Sequence, residues 1–330
     1  MKKDKVLIID GWNQFLRSFI ADPSLDKSGN PCGGCRGFLK SLQKIMRETS
    51  SRKIIVVWDG VGGAKRKKKM FAEYKDGRKP INFNRNNQIY KDFTEQEQQE
   101  NKNKQFINLI EYLNLMPVIQ LVIDNVEADD VIARICNLRF LNDKIKIIVS
   151  ADKDFFQLCN DTVIILRPIQ DEILNVKRIV DKFGIHPNNF ALARAIVGDK
   201  SDNLDGVSGV GLKSVSTRLS FLKEERSYTL TELYDFCESV ETKLKIHQSI
   251  IENKDKLNLN YKMMQLYSPN IPPNVSKMIK DTVEGFIPIF NQTAVIKKFI
   301  NDGMTDYNWD VMFQIFRSIA AENKTFKAAS

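Results

Sequence analysis

The sequence predicts an α/β protein: a doubly wound, mostly parallel sheet, followed by a helical unit at the C-terminus. Three observations carry this. Short β-branched apolar runs recur through the first half of the chain, amphipathic helical spacing fills the intervals between them, and from about residue 176 the pattern becomes helical with short turns.

The runs KVLII (5–9), KIIVVW (53–58), PVIQLVI (117–123), IKIIV (145–149) and TVIIL (162–166) are apolar on both faces, as buried parallel strands must be. Helical spacing covers Gly37 to Met46 and Thr94 to Tyr112. A third helix opens at Glu127, where Ala128, Val131, Ile132, Ile135 and Leu138 recur at helical intervals. Residues 61–93 fit neither pattern, being polar, basic and rich in Asn and Gly, and read as a mobile excursion from the carboxyl edge of the sheet. The charge-rich stretch Lys223-Glu224-Glu225-Arg226, just past Leu222, marks the junction to the C-terminal unit, which Pro269, Pro272, Pro273 and Pro288 interrupt. Asn323 to Ser330 read as a frayed end. The expected division is therefore 1–175, an α/β core; 176–221, a helical region with a glycine hairpin; and 222–330, the C-terminal helices.

At 330 residues the chain can bury one large core and a smaller appended unit. No apolar run approaches a membrane span, and the start MKKDKVLIIDG enters a strand pattern directly, so neither a membrane anchor nor a signal peptide is expected. Five scattered cysteines suit a reducing cytosol. Cys32 and Cys35 form a C-x-x-C, but no second pair follows and the chain has only two histidines, so the motif reads as a Gly-rich turn rather than a metal or redox site. The net charge of +9 is concentrated: residues 65–85 hold nine Lys or Arg against Glu73 and Asp76, a local excess of 9 − 2 = +7. Phe71, Tyr74 and Phe83 interleave with these bases and offer stacking surface for unpaired nucleotides.

Acids mark the ends of predicted strands and the starts of helices. Asp10, Asp59 and Asp152 follow strands, where open α/β sheets bind ligands. Glu127, Asp129 and Asp130 open a helix, three acids where a cap needs one. Asp154 completes Ser150-Ala151-Asp152-Lys153-Asp154, and Asp199 and Asp202 lie in Gly198-Asp199-Lys200-Ser201-Asp202-Asn203. Gathered carboxylates repel by about 4 kcal/mol per close pair at an effective dielectric of 20. Divalent cations with oxygen ligands neutralise such clusters, and a pair of them can drive phosphodiester hydrolysis. An acid cluster beside a basic segment therefore reads as a metal-dependent nuclease. Gly206-Val207-Ser208-Gly209-Val210-Gly211-Leu212-Lys213 reads as a tight hairpin between helices, with backbone N–H groups and Lys213 available to phosphate.

The ordered set DG, WDG, YKxxR, EADD, SADKD, GDxSDN and GVxGVGxK, covering about residues 5–220, resembles the 5′ nuclease (flap endonuclease) superfamily. Bacterial DNA polymerase I carries such a domain and phages encode free-standing versions. The segments Asn260-Tyr261-Lys262 through Pro272-Pro273-Asn274 are similar to the C-terminal unit of the RNase H of large tailed phages. The resemblance implies a helical arch at about 61–93 and a helix-hairpin-helix region at 176–221. It implies two Mg²⁺, with Mn²⁺ as a substitute, and K⁺ at the glycine hairpin. Asp10, Asp59, Glu127 and Asp129 would hold the first ion, Glu127 through water. Asp152, Asp154, Asp199 and Asp202 would hold the second, with Asp129 or Asp152 reaching both and Asp130 behind them. Lys75 and Arg78 would reach the scissile phosphate. Tyr74, Lys67, Lys68, Gly206, Gly209, Gly211 and Lys213 would contact nucleic acid.

The implied activity is 5′→3′ exonuclease and flap endonuclease action on DNA flaps, nicked duplex and RNA·DNA hybrids, as in primer removal during replication. It would take place in a bacterial or phage-infected cytoplasm, by a monomer, with a single-strand binding protein or sliding clamp as partner. Lys67 stands where the family carries arginine, which removes bidentate phosphate geometry. The glycine hairpin is intact although the phage RNase H type often degrades it, so the balance of exonuclease and flap cleavage stays open. The alternatives are a PIN-type metal-dependent RNase, which would lack the hairpin and basic arch, and a non-catalytic DNA-binding module, which would have lost one or more acids.

Overall fold

The computed structural model describes residues 3–78, 92–242 and 244–328. Four parallel neighbours, β1 (Lys5–Asp10), β2 (Lys53–Asp59), β3 (Ile119–Ile123) and β4 (Ile145–Val149), are joined by β5 (Val163–Arg167), and a short β6 (Glu172–Leu174) closes the sheet antiparallel. The order is β3-β2-β1-β4-β5-β6. β1 pairs with β2 on one side and β4 on the other, both parallel, so the chain reverses its direction of winding at β1. The crevice beyond the carboxyl ends of β1 and β4 is where such a sheet places its ligand. All five runs read from the sequence are strands; the three-residue β6 carried too few residues to show a period.

Alternation along β1 divides the interior. Val6 and Ile8 enter one core with Ile55, Val57 and Ile148, while Leu7 and Ile9 enter the other with Ile54, Val56, Trp58, Ile147 and Val149. Burial of both faces explains why β1 and β2, at the centre of the sheet, carry no polar residue in their middles. The second core is covered by α1 (Gly11–Ala21), α2 (Gly33–Thr49) and, beyond a short α3 (Lys65–Met70), by α4 (Glu95–Asn114). The first is covered by α5 (Ala128–Cys136), α6 (Val176–Phe183) and α7 (Phe190–Val197).

Two local expectations change. The Cys32–Cys35 motif is the start of α2 rather than a free turn, because a side chain at Gly33 would lie 1.8 Å from the Asp22 carbonyl and only glycine lets helix and loop meet. The basic excursion contains α3 and a compact turn through Gly77; its remainder, 79–91, including Phe83, lies outside the described residues.

After α7 the chain doubles back through the paired stubs β7 (Gly198–Asp199) and β8 (Leu204–Asp205) before α8 (Leu212–Arg218). Asn189 ties the 222–228 junction down, donating to the carbonyls of Leu222, Glu224 and Arg226 at 2.9–3.2 Å. The helices α9 (Leu230–Ser239), α10 (Lys245–Glu252), α11 (Lys254–Met264) and α12 (Pro273–Glu284) send Leu233, Ile250, Leu257, Ile279 and Val283 into the first core. Finally α13 (Gln292–Asn301) and α14 (Asp310–Ala328) place Val295, Phe299, Met312 and Phe316 in the second. The C-terminal helices thus clasp both faces of the sheet. α14 continues through Ala328, so the helix runs past Asn323, where a frayed end was expected. Among the described residues no helix is long and apolar enough to cross a membrane.

Candidate active site

The carboxyl edge of β1, β2 and β4 gathers the acids. Asp10 ends β1 and caps α1, its Oδ1 accepting from the Asn13 amide at 3.1 Å. The cap works because Gly11 lets α1 lie against the Trp58 ring, which a Cβ would meet at 2.3 Å. Asp10 Oδ2 accepts from Ser150 Oγ at 3.0 Å, and the same hydroxyl accepts from the Asp152 amide at 3.1 Å, joining the ends of β1 and β4. Asp59, at the end of β2, accepts from the Ala128 amide at 2.9 Å and so fixes the start of α5, whose first turn carries Asp129 and Asp130. Asp154 donates its amide to Asp152 Oδ1 at 2.9 Å. Asp199 accepts from the Ser201 amide and hydroxyl at 2.8 and 2.7 Å.

Electrostatics show how crowded this edge is. Burial pushes Asp10 up to about 7, with Asp152 and Asp59 adding to the rise. Burial raises Asp129 well above the usual carboxylate range, reinforced by Asp152, Asp10 and Glu127. Burial and then Asp152 push Asp154 up to about 7, against the pull of Arg194. Glu127 behaves in the opposite way. Burial opposes its charge, but the Lys67 and Lys75 ammoniums overcome that and hold it down to about 2. Asp130, raised by burial, faces a cavity of about 290 Å³ shared with Arg66, Lys262 and Asn270, and accepts from the Asn270 amide.

The basic segment closes over these acids. Lys67 Nζ lies 2.5 Å from Glu127 Oε2, and Lys75 pairs with Glu127 Oε1. Arg78 pairs with Asp202 and donates from Nε to the Ser201 carbonyl at 2.7 Å. Lys68 points away, to Asp76 at 2.6 Å. Lys67 therefore differs from its neighbours in the lysine run, with which the sequence grouped it. Tyr74 departs from expectation more fully. The residue is 1 % exposed and its ring packs with Leu204, Met263 and Met264, so no face is left for an unpaired base. Its hydroxyl lies 2.9 Å from Asp202 and 3.2 Å from Glu127, making it a structural tie between the two loops.

The glycine motif divides in two. A Cβ on Gly206 would lie 2.1 Å from the Val197 carbonyl, so this glycine serves close backbone approach. Gly209, at φ +72°, and Gly211, the N-cap of α8, are exposed with open space around them, and Lys213 is exposed on the following turn.

Reading the sequence missed Asn13, Ser150 and Arg194. Arg194 is 7 % exposed and donates from Nε to Asp154 Oδ1 at 2.6 Å and from Nη2 to Asp199 Oδ2 at 2.5 Å. It is the one charged residue in the apolar helix FALARAIV, a signal that was available.

The donor set is all carboxylate oxygen, with burial and mutual repulsion raising Asp10, Asp129, Asp130 and Asp154, and that chemistry fits hard divalent cations. Among the described residues no three acids close around one point as they stand. Glu127 is turned to Lys67 and Lys75, Asp202 to Arg78, and Asp154 and Asp199 to Arg194.

A doubly wound sheet with buried acids at its switch point and cations folded over them defines the class of metal-dependent phosphodiester hydrolases. Comparison with known proteins makes this specific. Residues 5–184 match the model of the 5′–3′ exonuclease N-terminal resolvase-like domain. The chain is 31 % identical over 272 residues to a 5′–3′ exonuclease of Aquifex aeolicus, covering 79 % of this chain and 81 % of that one. It is 32 % identical over 223 residues to the thermostable DNA polymerase I of Thermus thermophilus, covering 67 % of this chain but only 24 % of the polymerase. Among solved structures, a bacteriophage T5 flap endonuclease in a pseudo-enzyme-product complex with DNA and metal ions superposes with a TM-score of 0.62 at 19 % identity, over 90 % of this chain and 97 % of that one. The chain belongs to the 5′–3′ exonuclease family, within the 5′ nuclease superfamily.

Proposed function

We propose that this protein is a phage-type 5′ nuclease that uses Mg²⁺, with Mn²⁺ as a substitute, to cleave DNA flaps, nicked duplex and RNA·DNA hybrids. The observation that carries the reading is the pairing of Lys75 with Glu127 and of Arg78 with Asp202, within the group of acids gathered at the carboxyl edge of the sheet. Asp10, Asp59, Glu127 and Asp129 would hold one ion and Asp152, Asp154, Asp199 and Asp202 another, with Asp130 behind them. Two ions so held supply an activated water and charge stabilisation for an in-line displacement. The chain's own part is to place the phosphate. Lys75 offers an ammonium to charge that develops in the transition state, and Arg78 offers a planar fork to the phosphate oxygens. Each would exchange its carboxylate partner for phosphate when substrate arrives.

The exposed amides around Gly209 and Gly211, with Lys213, would grip duplex phosphates behind the cut, with K⁺ bound at the hairpin, while Lys68 adds steering charge. Primer removal in a bacterial or phage-infected cytoplasm, by a monomer working beside a single-strand binding protein or sliding clamp, is the setting this reading implies. The reading takes 1–175, 176–221 and 222–330 as its proposed division of the chain.

The test is to incubate the protein with a 5′-labelled flap, a nicked duplex and an RNA-primed duplex, in Mg²⁺ or in chelator, and to map the products. Mg²⁺-dependent release of 5′-phosphate products from the 5′ end supports the reading. Cleavage that survives chelator, or that begins from 3′ ends, sinks it.

A further inference from the structure

We propose that Arg194 is a positioning residue that sets the spacing of Asp154 and Asp199 and thereby builds one of the two divalent-cation sites. The proposal rests on the reading of those two aspartates as metal ligands. They come from separate parts of the chain: Asp154 from the turn after β4, and Asp199 from the stub after α7. Arg194 spans them with donors fixed in one plane, Nε to Asp154 Oδ1 and Nη2 to Asp199 Oδ2, while Nη1 donates to the Gly198 carbonyl at 3.2 Å.

The backbone is shaped to allow this. Gly198 has φ +75°, and a Cβ there would lie 2.3 Å from the Gly206 amide nitrogen and 2.4 Å from the Leu204 carbonyl oxygen. The chain therefore folds back tightly enough for Asp199 to meet an arginine of the helix that precedes it. Asp199 is held again by Ser201, and Asp154 by its amide bond to Asp152. With the guanidinium between them, the two acids are fixed at one separation although like charges would otherwise drive them apart. The Arg194 bonds leave Asp154 Oδ2 to offer, while Asp199 Oδ1 already accepts from the Ser201 amide and hydroxyl, so a cation would share that oxygen with them.

Charge and geometry make opposite predictions. A fixed cation beside a cation site weakens metal binding by repulsion, so a residue that acts only through charge should give tighter binding when neutralised. A residue that orients ligands gives weaker binding when lost, typically by about 10- to 100-fold. Lysine separates the two, because it keeps the charge but lacks the planar fork that reaches both acids.

The experiment titrates Mn²⁺ into the full chain without nucleic acid, by calorimetry and by the electron paramagnetic resonance of free Mn²⁺, for the wild type, Arg194→Lys, Arg194→Gln and Asp154→Asn. Two bound ions are expected for the wild type. One of the two affinities should fall by about 10- to 100-fold in both Arg194 variants, with the other unchanged. Wild-type affinities in Arg194→Lys, or tighter binding in Arg194→Gln, overturn the proposal. Asp154→Asn distinguishes the underlying reading: unchanged Mn²⁺ binding there removes Asp154 from the metal site, and the proposal falls with it. Because Arg194 is buried, Arg194→Gln risks unfolding, so thermal unfolding in chelator accompanies each titration and the lysine variant carries the test. The unmutated chain gives a second measurement. The Arg194 Nε–H should exchange slowly with solvent in chelator, and fast exchange would show that the bridge to Asp154 is not held.

Discussion

Tyr74 Oη donates to Asp202 Oδ2 at 2.9 Å, across 128 residues of sequence, from a ring buried against Met263 and Met264. This bond does not stand alone. The Lys75 amide donates to the Asp202 carbonyl at 2.9 Å, and Asn203 Nδ2 donates to the Glu73 carbonyl at 3.0 Å. The base of the basic segment and the loop carrying Asp199 and Asp202 are therefore one structural piece. Lys75 itself adopts φ +60°, a left-handed conformation that non-glycine residues rarely take. The surrounding bonds hold it there, with its ammonium at Glu127.

That placement predicts a sharp difference between Lys75, held at Glu127, and Lys68, paired with Asp76. Lys75→Ala should slow single-turnover cleavage of a saturating flap substrate by roughly a hundred- to a thousandfold, about 2.7 to 4 kcal/mol, the usual loss of one transition-state donor. Lys68, paired with Asp76 at the surface, should act only as steering charge, so Lys68→Ala should have a small effect that vanishes at high salt. Equal losses that salt suppresses in both variants would reduce Lys75 to one more positive charge.

The sheet was legible in the sequence because strands buried on both faces leave long apolar runs, and the acids because they stand next to those runs. What stayed hidden depends on contacts across the chain. Nothing near Tyr74 in sequence shows that Met263 and Met264 will cover its ring, so an aromatic among lysines read as a stacking surface. The roles of Gly206 and Gly209 look alike in a glycine-spaced motif, yet only the fold brings the Val197 carbonyl against the first. Likewise α13 and α14 show amphipathic spacing, but not that their apolar sides join the core that holds Leu7 and Ile9.

Asp152 adds to the rise of Asp10, Asp129 and Asp154. Asp152→Asn should therefore relieve repulsion, leaving the thermal midpoint in chelator unchanged or higher, while cleavage in Mg²⁺ is abolished and duplex binding persists. Near-normal turnover in Mg²⁺ would remove Asp152 from the metal site.

The raised acids also fix a pH dependence. A carboxyl whose folded-state value lies above its unfolded value binds its proton more tightly when folded, so its ionisation destabilises the fold as pH rises. For Asp10 the rise from 3.8 to about 7 corresponds to ~4 kcal/mol, lost progressively between those two pH values. Asp154 works in the same window, whereas Glu127, held down to about 2, contributes stability that is lost only below the ordinary 4.5. Chelated protein should thus unfold at lower temperature at pH 7.5 than at pH 5.5, and Mg²⁺ should reverse the trend. Thermal scans across pH in chelator check this, and a midpoint that climbs from pH 5.5 to 7.5 would contradict it.

The two kinds of glycine give a last prediction, on duplex affinity. Gly209 is exposed and takes φ +72°, Gly211 caps α8, and Lys213 lies on the next turn with its side chain in solvent. If these groups hold a phosphate, Lys213→Ala should weaken duplex binding and reduce the slope of log K against log salt by about one, since each neutralised phosphate contributes about 0.9. The rate of the chemical step at saturating substrate should not change, because a contact made equally in ground and transition states does not accelerate reaction. Gly209→Ala should weaken affinity in the same way by straining the turn that presents the amides. Gly206→Ala should behave differently. Its new methyl would collide with the Val197 carbonyl, so it should lower the thermal midpoint and disturb the β7–β8 stub beside Asp199. Filter binding at several salt concentrations, with thermal scans of the same variants, separates the two. An unchanged salt slope for Lys213→Ala would place the hairpin away from the duplex, whatever Gly206→Ala does to stability.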